Sequence, residues 1–243
     1  MRNLVVGDIH GGLRALKQVM ERAGVTESDR LIFLGDYVDG WSEAAETVDF
    51  LIELNSNYEC IFLRGNHDEL TEGWLQSGRE LPLWVKSGGQ ATMDSYRDID
   101  PNKRKLHLQF YSELHNYHLD NENKLYLHAG FTNEHGVGYE YFSKSFYWDR
   151  TLWELVLAID PELKPEDPRY PRRLKHYKEI YIGHTPLSRI GKTEPYRAAN
   201  VWNIDTGAAL KGPLTIFDTD SKEFWQSDPV FNLYPDELGR NRN

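Results

Sequence analysis

The chain has 243 residues, 40% hydrophobic and 27% charged, with a formal net charge of −10 and a single cysteine. At this length a fold buries roughly 70–75% of the unfolded surface, so no disulfide is needed, and one cysteine excludes both an internal disulfide and a multi-thiolate metal site. The acidic balance disfavours broad nucleic-acid binding, which needs a basic face to displace counterions, and no apolar run approaches the ~20 residues that span a bilayer.

The first apolar stretch, Leu4-Val5-Val6, reads as a strand and breaks at Gly7-Asp8. That is too early for the apolar core of a signal peptide, so a cytoplasmic location without a membrane partner is expected. Leu13, Leu16, Val19 and Met20 fall on one helical face, which predicts a helix over 13–23. A second strand, 31–34, ends at Gly35-Asp36. Ser42 with early acids at 43 and 46 opens a helix to about 55, since acids suit the positive helix start. A third strand, 60–63, contains Cys60 as a core residue and ends at Arg64-Gly65-Asn66-His67.

Strands alternating with helices, and strands that are apolar throughout, indicate an α/β fold with sheets covered on both faces. Helices are expected at 88–97 and 101–115, the latter opened by Asp100-Pro101. Strands follow at 116–119, 125–128, 179–182, 201–204 and 214–217. Pro161, Pro165, Pro168 and Pro171 mark a loop or lid at about 160–173. The polar tail from Asp236 is expected to fray. Residues 1–243 are read as one domain with a helical insertion at about 68–115.

One pattern recurs in the early strands. Each ends in glycine plus metal-capable side chains: Gly7-Asp8-Ile9-His10-Gly11, Gly35-Asp36-Tyr37-Val38-Asp39-Gly40 and Gly65-Asn66-His67-Asp68. Later strands add His128-Ala129-Gly130 and Gly183-His184-Thr185. Neighbouring parallel strands bring their carboxyl ends together, where ligand sites form. Oxygen donors with imidazoles suit Mn²⁺, Fe or Zn²⁺.

At these residues the chain resembles the phosphoprotein phosphatase branch of the metallophosphoesterases, whose signatures are GDxHG, GDxVDRG, GNHE and two later histidines. Segments 84–92, 148–150, 183–186 and 204–208 are similar to bacterial and phage-type members. The resemblance implies an α-β-β-α sandwich with central mixed sheets and a dinuclear metal site at the strand carboxyl ends. It implies that Asp8, His10 and Asp36 hold one divalent ion, with Mn²⁺ the leading candidate. Asp36, Asn66, His128 and His184 would hold a second. His67, oriented by Asp39, would protonate the leaving group. Paired cations can clamp a phosphoryl group and acidify the attacking water.

Two departures stand out. Gly40-Trp41 replaces the Arg-Gly of GDxVDRG, so the phosphate-clamping arginine is absent, and GNHE reads GNHD at Asp68. Arg64 or Arg150 is expected to supply the bidentate clamp, Arg150 more so, with Trp41 a candidate pocket floor. Tyr37 can reach substrate or pack. His107, His115, His118, His135 and His176 match no ligand spacing and are assigned solvated or hydrogen-bonded roles. The implied activity is hydrolysis of phosphoserine or phosphothreonine in proteins by direct attack of metal-bound hydroxide. The alternative is a symmetrical bis(5'-nucleosyl)-tetraphosphatase, and a metal-dependent binding scaffold stands third. The expected partner is a phosphorylated protein or small phosphoester.

Overall fold

A computed structural model describes residues 1–241. Among these residues ten strands form two five-stranded sheets. The first contains β1 (Asn3–Val6), β2 (Arg30–Phe33), β3 (Glu59–Phe62), β9 (Thr215–Asp218) and β10 (Phe224–Gln226), in the order β10-β9-β1-β2-β3. The second contains β4 (Tyr117–Leu119), β5 (Lys124–Leu127), β6 (Glu179–Ile182), β7 (Tyr196–Ala198) and β8 (Val201–Asn203), in the order β4-β5-β6-β8-β7. Both are mixed. β1, β2 and β3 pair in parallel with β9 antiparallel beside them, and β5, β6 and β8 are parallel with antiparallel strands at each edge.

Successive strand side chains point to opposite faces, and β1 shows what this does. Leu4 and Val6 pack outward against helices, whereas Val5 joins Ile32, Leu34, Leu63, Tyr126, Tyr181, Ile204 and Phe217 between the sheets. Helices α1 (Leu13–Arg22), α2 (Ala44–Leu54), α3 (Asn66–Ser77), α4 (Pro82–Trp84), α5 (Gln90–Ser95) and α6 (Pro101–Ser112) follow in the first half of the chain. Leu16, Val48, Leu75 and Phe110 from this group belong to the core over the first sheet. Helices α7 (Ser145–Trp148) and α8 (Thr151–Ala158) bring Phe146, Leu152 and Trp153 onto the second sheet, and α9 (Val230–Leu233) returns against α1. The α-β-β-α sandwich and its mixed sheets are therefore as expected.

Several local expectations change. Ser42 does not cap α2; its backbone N–H and hydroxyl donate to Glu237 of the tail. The chain turns helical at Asn66, because Gly65 is extended and Asp68 in the first turn accepts the Gly65 N–H at 2.8 Å. Gly78 ends α3 in the left-handed conformation (φ 68°), its N–H on the Trp74 carbonyl, a termination that costs glycine no Cβ clash. The proline-rich stretch 160–173 lines no part of the central cavity. Its Tyr170 is buried in the core over the second sheet, while most of the stretch is exposed. The tail is held as far as Arg240, with residues 242–243 outside the described residues: Tyr234 stacks on Trp41 with centroids 5.3 Å apart, and the Arg240 N–H donates to the Ala209 carbonyl at 2.8 Å.

Candidate metal centre and active site

The carboxyl ends of β1, β2, β3, β5 and β6 converge. Backbone bonds lock the turns together: His10 N–H donates to the Asp36 carbonyl (2.9 Å), Gly11 N–H to Tyr37 (2.8 Å) and Gly183 N–H to His128 (2.9 Å). Asp68 extends this lock by accepting from Asp36 N–H and Tyr37 N–H at 2.8 and 2.9 Å. A carboxylate thus survives at that position because three backbone donors from two turns need it. His10, Asp36, Asp39 and His184 all have positive φ, between 54° and 70°. Such backbone strain costs of order 1–3 kcal/mol per residue and concentrates at functional sites.

Two overlapping sets of ligand atoms lie within 4.8 Å of one another: Asp8, His10 and Asp36, and then Asp36, His128 and His184. Asp36 belongs to both. Its Oδ2 is 3.6 Å from His10 Nε2 and 3.4 Å from His128 Nε2. Asn66 Oδ1 is 3.3 Å and His184 Nδ1 3.2 Å from the same His128 nitrogen. Buried imidazoles present their lone pairs inward because the opposite nitrogens are engaged: His10 Nδ1 faces the Asp39 carbonyl at 2.8 Å, and His128 Nδ1 the Leu34 carbonyl at 2.9 Å. That arrangement fixes the tautomer a metal ligand requires. Among the described residues Asp8 Oδ1 and His184 Nε2 are buried without a hydrogen-bond partner. A buried cluster of acceptors without matching donors fits cations.

The electrostatics agree. Burial, with the Arg240 charge next, holds His10 well below its ordinary pKa, and burial with His128 does the same for His184, so both stay neutral. Burial also opposes charge on His128, yet Asp36 and Asp8 outweigh it and raise that imidazole to about 9. Burial and Asp205 push Asp8 well above the usual carboxylate range. A divalent cation would reverse that logic by favouring the charged form.

The His67–Asp39 pair sits beside this cluster. His67 Nδ1 is 2.7 Å from Asp39 Oδ2, and Asp39 is fully buried. Asp39 also accepts from Trp84 Nε1 (2.5 Å) and Thr92 Oγ1 (2.6 Å). With that many donors the carboxylate stays an acceptor, leaving His67 Nδ1 as donor and Nε2 free toward the cavity. Gly89 makes this possible, since a Cβ there would fall 2.5 Å from the Trp84 ring. Segment 84–92 thus supports the site at one remove, a role its sequence did not reveal.

Above the cluster lies a cavity of about 810 Å³, lined among others by His67, His184, Trp84, Trp148, Arg150 and Arg240. Arg64 is absent from it. Its guanidinium donates to Glu72 Oε2 and to the Tyr111 carbonyl, both at 2.5 Å, and it lines a separate side pocket. Adjacency to Asn66 misleads here, because the turn into α3 sends residue 64 the other way. Arg150 does face the cavity, with Nη1 3.1 Å from Thr185 Oγ1. Trp41 is fully buried under the tail, its indole N–H on the Ala208 carbonyl, and floors nothing. Tyr37 is buried too and donates to the Leu63 carbonyl. Arg189 and Arg240 line the cavity without having been legible in the sequence.

A two-sheet α/β sandwich with such a ligand cluster at its strand ends defines a metal-dependent hydrolase. Residues 1–210 match the calcineurin-like phosphoesterase family, and the chain belongs to it; it is a metal-dependent phosphohydrolase. Across 240 residues it is 25% identical to the asymmetrical bis(5'-nucleosyl)-tetraphosphatase PrpE of Oceanobacillus iheyensis, covering 90% of this chain and 89% of the relative. The PrpE of a Geobacillus species, of the same description, is 26% identical with 88% of each chain covered. A yeast (Saccharomyces cerevisiae) protein serine/threonine phosphatase with similarity to human PP5 superposes with a TM-score of 0.58 at 17% identity, covering 94% of this chain and 80% of that one.

Proposed function

We propose that the chain hydrolyses phosphoanhydride bonds in dinucleoside polyphosphates, with Asp8, His10 and Asp36 holding one divalent cation and Asp36, Asn66, His128 and His184 a second. Mn²⁺ suits this mix of oxygen and imidazole donors. When bound, such a pair polarises phosphoryl oxygens and acidifies water. The protein's own groups do the rest: His67 Nε2 is placed to give a proton to the departing oxygen, and Asp39 stabilises the imidazolium. A pure binding scaffold has no use for that dyad. Residues 1–243 are proposed to act as one domain, because the inter-sheet core draws on both sheets.

One observation carries the choice of substrate. Arg150, Arg189 and Arg240 all line the cavity, and among the described residues none pairs with a carboxylate. Burial and the charges of Arg189 and Arg240 lower Arg150 below its ordinary value, so these cations feel one another. Three guanidiniums without a paired carboxylate are more than one phosphate monoester needs, whereas a polyphosphate chain engages all of them. Exposed apolar groups at the rim, Trp148 and Leu83, offer a nucleobase a surface. The names of the curated relatives support the same substrate class and an asymmetrical cut.

Phosphoserine and phosphothreonine proteins form the second reading, supported by the phosphoprotein-phosphatase spacing of the motifs. With Mn²⁺, diadenosine tetraphosphate is expected to show at least about tenfold higher kcat/KM than a phosphoserine peptide, one 1.4 kcal/mol step. The expected products are ATP and AMP. A faster phosphopeptide would select the second reading, and two ADP would select the symmetrical cut. Arg150→Ala is expected to raise KM for the dinucleotide about tenfold or more, on the scale of a lost charged hydrogen bond; an unchanged KM would remove Arg150 from substrate binding.

A further inference from the structure

We propose that the C-terminal tail is part of the active site and that Arg240 is a phosphate-binding residue. This rests on the phosphohydrolase reading above and deepens it, by arguing how one of the three cavity guanidiniums is delivered from the tail and what it binds.

The tail is seated by specific contacts. Glu237 accepts from Ser42 N–H at 2.9 Å and from its hydroxyl at 2.6 Å. Gly239 adopts φ 58° directly against Trp41, where an added Cβ would lie 2.6 Å from the indole. Arg240 N–H then donates to the Ala209 carbonyl at 2.8 Å. These anchors fix where the next side chain can go.

The Arg240 stem runs over two glycines. A Cβ on Gly88 (φ 112°) would come within 3.1 Å of Arg240 Cγ, and one on Gly40 (φ 144°) within 3.5 Å. A Cβ at position 88 would press the stem by a few tenths of an ångström, and one at position 40 would lie in contact with it. Arg240 lines the cavity wall shared with Asp36, Asn66, His67 and His184, and a Cβ built on Gly40 would touch both His10 Cβ (3.3 Å) and Arg240 Cγ (3.5 Å), which puts its stem beside a metal-capable residue. Among the described residues no carboxylate pairs with it and its side chain makes no hydrogen bond. A partly buried arginine beside the candidate metal ligands, with no internal partner among the described residues, is arranged for an anion. Gly40 is also the position where the resembling motif has its clamping arginine. Here the side chain missing from position 40 leaves the room that an arginine from position 240 fills.

The test compares Arg240→Met, which keeps the stem packed on Gly40 and Gly88, with Arg240→Lys and the unaltered chain. Orthophosphate is titrated calorimetrically into each Mn²⁺-loaded protein, and melting temperature, bound manganese and turnover of p-nitrophenyl phosphate are recorded alongside. Arg240→Met is expected to weaken orthophosphate about tenfold or more and to raise KM similarly, the scale of one charge-assisted hydrogen-bonded contact, with melting temperature and metal content unchanged. Arg240→Lys should recover part of the affinity, since it keeps the charge but not the bidentate geometry. Unchanged orthophosphate affinity in Arg240→Met overturns the proposal. So does a loss that tracks a fall in melting temperature and that lysine recovers in no part, which would make the tail structural. If the unaltered chain turns over no phosphoester while Arg240→Met still weakens orthophosphate, the phosphohydrolase reading fails and the binding role of Arg240 stands.

Discussion

Asp36→Asn is expected to lower kcat by roughly a thousandfold or more, because the several kcal/mol supplied by a bound cation translate to a factor of ten per 1.36 kcal/mol. The reason is topological. Among the described residues Asp36 Oδ2 is the one carboxylate oxygen within 4 Å of both His10 and His128, while Oδ1 accepts the His67 backbone N–H at 2.9 Å. Burial penalises its charge, but His128 and His67 hold it well below the usual carboxylate range. Asparagine preserves the shape and the acceptor for His67 but removes the shared charge. A second readout follows by linkage. At free Mn²⁺ a hundred times Kd, the unaltered chain gains about 2.7 kcal/mol, which for 243 residues amounts to several degrees of melting temperature. Asp36→Asn should lose most of that gain in a calorimetric scan while its circular dichroism stays native. Retained activity with a retained manganese shift would contradict the shared-ligand assignment.

His67→Asn should fail differently. It leaves the ligand set intact, so manganese content is expected to stay the same while kcat falls about 10²- to 10⁴-fold, the range for a positioned general acid. The loss should depend on the leaving group. An alkyl phosphate expels a strongly basic alkoxide and needs the proton, whereas p-nitrophenolate or a nucleotide needs it less. The ratio of the two losses, measured by steady-state kinetics, therefore separates proton donation from mere positioning; equal losses for all leaving groups would rule the donor role out. Asp39→Asn should reproduce much of the defect, because an amide cannot accept from His67, Trp84 and Thr92 together.

These residues differ in how openly the sequence displays them. Asp8, His10, Asp36, Asn66, His128 and His184 each follow an apolar strand, and a parallel sheet turns that repeated position into proximity. Local pattern marked them as metal-capable, and the resemblance to the phosphoprotein phosphatase motifs implied which ion each would hold. Arg240 lies 200 positions beyond Gly40, and nothing local announces that a tail reading as polar coil returns to seat on Trp41. Trp84 and Thr92 belong to a motif that could be quoted but not interpreted, since their shared partner Asp39 stands 45 and 53 residues earlier. Arg64 misled for the converse reason: one step along a turn reverses direction, so sequence adjacency to Asn66 carried no spatial meaning. The two-sheet architecture was legible, whereas the short strands β7 and β10 and the helices α7 and α8 were not, because three to eight residues carry too little periodicity.

The most direct measurement is anomalous scattering at the manganese edge from crystals soaked in Mn²⁺. Two peaks sharing Asp36 as a common ligand, one beside Asp8 and His10 and the other beside Asn66, His128 and His184, are the expected result. A single peak, or density lying away from Asp36, would contradict the dinuclear assignment from which the proposed chemistry is built.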